Sequence, residues 1–286
     1  MRWLRNLFSR TDREAPPPVA AAAAPVAATN PEATDWESHQ RAGESGPVAI
    51  AVDLSLERRA PLADRPRLLR VRCALRAPRA DGLPGGAELE ALARLEDLLA
   101  GALAPLGAVY AGRVSLAGAR EHLFYLPDAA PVAEALDGVR AAVADYHLDV
   151  GGEDDPTWRA YREELYPTPR ALRWLLDRRA VEALARRGEG SGSARPVDHQ
   201  ASFPTAEARE AFAAEAAAQG FEVVARRDDG PPPNGYGVDL RRDDPVDLRH
   251  VNGVAWTLCE LATRCGGAYD GWEAPVENGP AGPARA

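Results

Sequence analysis

Lysine is absent from the 286 residues, so all 34 basic side chains of the lysine–arginine class are arginines. That excludes a Schiff-base lysine, a pyridoxal-phosphate anchor and the phosphate-binding lysine of a Walker loop in one step. Cysteine is scarce: Cys73, Cys259 and Cys265 form no C-x-x-C pair and leave an odd number. They read as reduced thiols of a cytoplasmic protein. The five histidines, His39, His122, His147, His199 and His250, are scattered, with none at ligand spacing from another His or Cys. No metal and no cofactor is expected. No G-x-S-x-G elbow occurs, no nucleophile–base pair is visible, and no catalytic residue is assigned. No run approaches about 18 apolar residues, so no membrane span is expected. The basic start, Met1 to Arg10, lacks the apolar run of a secretory signal. Aromatics are only 6% of the chain, so each one at a patterned position carries more packing information than usual.

What remains is the balance of a protein that buries a core, with 45% hydrophobic and 27% charged residues. Alanine accounts for 57 of those residues, so large apolar side chains are fewer than the total suggests. The net charge of −9 is the wrong sign for affinity built on phosphate backbones.

Residues 1–47 read as a disordered Ala/Pro-rich tail, since Pro16-Pro17-Pro18 and Pro25 interrupt any helix the alanines begin. His39 falls in this stretch and is set aside with it. From Val48 the patterns give strand, strand, helix, strand, strand, helix, strand. Trp158, Tyr161 and Leu165 then share a helical face behind Asp154-Asp155-Pro156, where acids suit a helix start. An arginine-rich helix follows, from about Pro169 to Arg187. These make a first domain, 48–187. Residues 188–194 read as a Gly/Ser linker, and a stable proteolytic fragment is expected to begin near Arg195.

Residues 195–276 give strand, helix, strand, strand, helix, strand, with Thr205 as the clearest cap. Residues 277–286 read as a disordered tail. Strand–helix–strand–strand–helix–strand is the split βαβ, ferredoxin-like order, and 68–150 repeats it. The fold class expected is therefore α+β: two tandem ferredoxin-like units, the first with an extra strand and trailing helices.

Two constellations compete for function. Trp158, Tyr161 and Trp174 could form a stacking platform in a small-molecule module, or the apolar seam of the connecting helices. Ferredoxin-like sheets often bind RNA through strand aromatics, but the inner strands here, Phe221 to Arg226 and Gly237 to Leu240, carry no such motif. From Arg195 onward there are nine arginines against 15 carboxylates, so direct nucleic-acid binding is disfavoured and a basic protein surface is the expected partner. Asp239, Asp243, Asp244 and Asp247 gather between the second strand and the last helix. They read either as an edge that docks an arginine-rich segment or as a solvated loop and helix cap.

The segment Gly266-Gly267-Ala268-Tyr269-Asp270-Gly271-Trp272-Glu273, with His199, Gly220-Phe221 and the leucine-bearing last helix, resembles the regulator of ribonuclease activity B (RraB) family over about 195–276. The resemblance implies a non-catalytic protein that binds and modulates the endoribonuclease RNase E. Tyr269, Asp270, Trp272 and Glu273 then join the four aspartates as candidate partner-binding residues. Asp155-Pro156-Thr157-Trp158, Tyr161 and Leu165-Tyr166-Pro167 are similar to an uncharacterised bacterial family often joined to the first. The oligomeric state is not legible.

Overall fold

A computed structural model describes residues 34–128, 130–187, 192–228 and 234–275. Of the expected tails and linker, residues 1–33, 188–191 and 276–286 lie outside the described residues. The chain divides into two units, after Pro167.

The first unit is built from β1 (Trp36–Gly43), β2 (Gly46–Asp53), β3 (Arg67–Ala74), α1 (Leu89–Leu103), β4 (Val109–Leu116), β5 (Ala119–Leu126), α2 (Val132–Ala142) and β6 (Leu148–Asp154). Its antiparallel sheet runs β1-β2-β4-β5-β3-β6. Without β1 and β2 this is the split βαβ order. Helices α1 and α2 cover one face, with Leu92, Leu95 and Leu99 buried against Val71, Cys73 and Phe124. The other face is also apolar and also covered: Trp158, Tyr161 and Leu165 join Leu56, Leu68, Val114 and Tyr125 in a second core. This two-sided burial explains why every residue of β4 and β5 is buried.

Strand β1 corrects the expected tail of 1–47, since residues 36–43 are a strand of the first sheet. It has one large apolar residue, Trp36, and so no hydrophobic alternation to detect. As an edge strand it is held by its ladder to β2 and by polar contacts. His39 Nε2 donates to the Leu165 carbonyl at 2.9 Å and Arg41 to that of Glu164 at 2.7 Å. His39 is therefore part of the fold, and burial lowers its pKa to about 4.

The second unit comprises α3 (Pro169–Arg186), β7 (Ala194–Phe203), α4 (Ala206–Ala217), β8 (Glu222–Arg227), β9 (Tyr236–Pro245), α5 (Leu248–Arg264) and β10 (Ala268–Glu273). The sheet order β10-β7-β9-β8 is again that of the split βαβ. Strand β7 alternates strictly: Val197, His199, Ala201 and Phe203 are buried, while Asp198, Gln200 and Ser202 are partly exposed. The buried row meets Phe212, Leu258 and Leu261 of the helices. Helix α3 was expected in the first domain; its contacts place it here, on α5. Leu184 packs with Val197 and Val246.

Candidate protein-binding site

The Tyr269-Asp270-Gly271-Trp272 segment forms β10, at one edge of the second sheet. Gly267 precedes it because a Cβ there would clash with the edge of the Phe203 ring, 2.2 Å from Cδ1, and lie 2.5 Å from the Ser202 carbonyl oxygen. A register shift lies between Tyr269 and Gly271, and Gly271 takes φ +143°, a backbone state that L side chains rarely adopt. The bulge sends alternate side chains to separate anchors. The Tyr269 hydroxyl shares a 2.8 Å hydrogen bond with His199 Nδ1, Asp270 accepts from the Ser202 hydroxyl at 3.1 Å, and Trp272 Nε1 donates to Asp177 at 2.7 Å.

Asp177 is fully buried on α3 and accepts three times: from Trp272, from Asn252 of α5 at 2.8 Å, and from Arg173 at 2.7 Å. One carboxylate thus ties α3, α5 and β10 together. The Arg173 guanidinium also lies 5.6 Å from the centre of the Tyr269 ring. Burial raises the Tyr269 hydroxyl well above its ordinary pKa and lowers His199 to about 4, so both are neutral near pH 7.

The aspartates fare differently from one another. Asp239 pairs with Arg227 at 2.9 Å. Asp244 is buried and bonds Arg242 at 2.8 Å and His250 at 2.7 Å; burial pushes its carboxyl up, but these bonds hold it below its ordinary pKa. Asp247 caps α5 by accepting from the His250 amide at 3.0 Å. Asp243, Asp270 and Glu273 are exposed.

Family models match both units: DUF695, a family of unknown function, over residues 34–166, and RraB, regulator of ribonuclease activity B, over residues 175–274. The chain carries a DUF695 domain followed by an RraB domain. No curated protein matches it. Among solved structures it is similar to an unknown protein from Galdieria sulphuraria, at 13% identity over 74% of this chain and 99% of that one, with a TM-score of 0.21.

In the DUF695 domain, Trp158 and Tyr161 are core residues, not an open platform. Trp158 is fully buried, stacked 3.9 Å from Tyr125, and its Nε1 donates to the Arg65 carbonyl at 3.0 Å. Trp174, the third member of the aromatic cluster, sits half-buried on α3 in the RraB unit. Asp155 accepts from the amides of Arg159 and Ala160 and from the Tyr125 hydroxyl, which is the work of a cap. The RraB unit has an open groove of about 460 Å³ between Phe221, Arg242, Asp247 and the Arg249–Thr257 part of α5. Among the described residues no group of three or more His, Cys, Asp or Glu could hold a metal, and no helix is long and apolar enough to cross a membrane.

Sequence reasoning missed Asp177, Asn252 and Arg173. The carboxylate sits within an arginine-rich helix, where an exposed ion pair is the ordinary expectation, and nothing local shows that it faces inward.

Proposed function

We propose that this chain is a non-catalytic, protein-binding regulator of an RNase E-type endoribonuclease, acting in the cytoplasm through its RraB domain. The match to the regulator family over 175–274 carries this reading. The charge of the region supports it: nine arginines against 15 carboxylates from Arg195 onward repel nucleic acid and favour a basic protein surface. Of the candidate contact residues, we assign partner contact to Asp243, Asp270 and Glu273, a reading supported by their exposure, and a framing role to Asp239, Asp244, Asp247, Tyr269 and Trp272, supported by their internal bonds.

The experiment is capture of the ribonuclease from the native host by the purified full chain, with a cleavage assay alongside. A complex at about 0.1 M salt, weakening towards 1 M as the Debye length falls from about 10 Å to about 3 Å, is the expected result. No complex at the lower salt, with the chain shown to be folded, refutes the proposal.

A further inference from the structure

The two units share a strand order but treat the sheet face opposite their helices differently. In the first unit that face is apolar and covered by Trp158, Tyr161 and Leu165. In the second, α3, α4 and α5 all lie on the side of Val197 and Ala201, and no described element of the unit covers the face bearing Asp198, Gln200 and Ser202.

That bare face is charged in a particular pattern. The register places Glu222 opposite Arg241, Arg241 opposite Asp198, and Asp198 opposite Glu273, a single row across all four strands. At about 4.8 Å per strand the row spans roughly 14 Å. Its one cation, Arg241, is committed to Asp198 through two bonds of 2.6 and 2.8 Å. Glu222 and Glu273 close the row at both edges; Arg241 also attracts Glu222 and Asp243, and Arg227 attracts Asp270 and pairs with Asp239, so six carboxylates on this face share two guanidinium groups. Asp198 and Glu273 are like charges directly opposite one another, an arrangement that destabilises a sheet. The floor between is polar, with Gln200, Ser202 and Gly237, the last beneath the Arg227 guanidinium, and it offers no apolar anchor.

We infer that this uncovered sheet face is the docking surface for an arginine-rich segment of the protein partner. Guanidinium groups pair with carboxylates in bidentate geometry, and a segment crossing the strands would meet the excess of edge carboxylates in turn. Docking would also relieve the Asp198–Glu273 repulsion. The inference rests on the RraB unit being a protein binder and adds which of its surfaces does the binding. It differs from the edge beside α5 expected from the sequence, where Asp244 and Asp247 are already consumed.

The test uses the full chain and a labelled oligo-arginine peptide at about 0.1 M salt. A face variant, Glu222→Gln/Asp243→Asn/Asp270→Asn/Glu273→Gln, is compared with a control of equal charge change on helical surfaces, Glu90→Gln/Asp97→Asn/Glu207→Gln/Glu260→Gln. Circular dichroism and denaturation confirm that both fold. The face variant should bind about tenfold more weakly, four exposed ion pairs contributing a few tenths of a kcal/mol each. The control should stay within about twofold of the parent. Equal weakening in both variants means that net charge alone acts, and no weakening in either means that the face is not used; both overturn the inference. Ribonuclease capture separates the two readings. If the ribonuclease binds parent and face variant equally, the regulator reading stands and the docking surface falls. If the peptide discriminates but no ribonuclease is captured, the reverse holds.

Discussion

Replacing Asp177 with Ala tests whether one buried carboxylate holds the second unit together. The change leaves Trp272 Nε1, Asn252 Nδ2 and the Arg173 guanidinium without their shared acceptor. Breaking a buried pair from one side costs about 3–5 kcal/mol, mostly because the remaining charge is stranded. The two neutral donors add about 1 kcal/mol each at most if the site relaxes or admits water. We expect roughly 4 kcal/mol, which for a domain of this size is about 15–30 °C in melting temperature. Asp177→Asn keeps an acceptor but loses the charge facing Arg173, and should cost about half as much. Hydrogen exchange read by mass spectrometry on full-length protein reports the two units separately. Protection should fall in β7, α5 and β10 and hold in β3 and β5. A loss below about 1 kcal/mol, or a loss in the first unit instead, refutes the assignment of α3 to the second unit.

His39 and His199 are held neutral with pKa values lowered to about 4, so the unfolded chain binds protons at pH 5–6 that the folded one does not. Stability should therefore be complete above pH 6.5 and fall as pH drops to 4, by about 3 kcal/mol per histidine, and urea titrations of His39→Gln and His199→Gln variants should show a shallower decline. Gly267→Ala should destabilise the second unit by about 1–3 kcal/mol or more, since the new methyl group meets the Phe203 ring, and thermal melting reads this directly. A fragment of residues 168–275 should fold, whereas one beginning at Arg195 should lose more than about 3 kcal/mol, because it discards Asp177 together with the Leu184 contact to Val197. Denaturation curves of the two fragments decide between this boundary and the glycine–serine one.

Most of the element order was legible because it rests on hydrophobic period. The leucines of α1 recur at three- and four-residue steps, and β7 alternates without a break. What escaped was polar. Strand β1 is an edge strand whose hold on the fold is a backbone ladder and the His39 and Arg41 bonds, none of which leaves a hydropathy signal. The boundary near Gly188 followed the most flexible composition, but α3 is bound by Asp177 and Arg173 as much as by leucines, so the covalent chain and the contacts disagree on where the unit starts. The Tyr269–Trp272 segment could be found as a motif, yet its reason is tertiary: His199, Ser202 and Asp177, its three anchors, lie 70, 68 and 95 residues away.

The same topology, used twice, separates structure from opportunity. In the first unit both faces of β4 and β5 are buried, and their polar residues, Arg113, Ser115, Arg120, Glu121 and His122, are buried with them, Arg113 on Glu96 of α1 at 2.5 Å and Glu121 on Arg70. Its second face is spent on stability. In the second unit, β7 places Asp198, Gln200 and Ser202 where the first unit's β3 places Leu68 and Arg70, and Arg70 there is already taken by Glu121 at 3.0 Å and Glu164 at 2.7 Å. A sheet whose polar face no described element of its unit covers, with like charges opposed across Asp198 and Glu273, forgoes stability that its sister unit collects. An excess of carboxylates on that face favours a basic ligand. That is the physical reason to look for the partner on the second sheet's open face and not in the aromatic interior of the first.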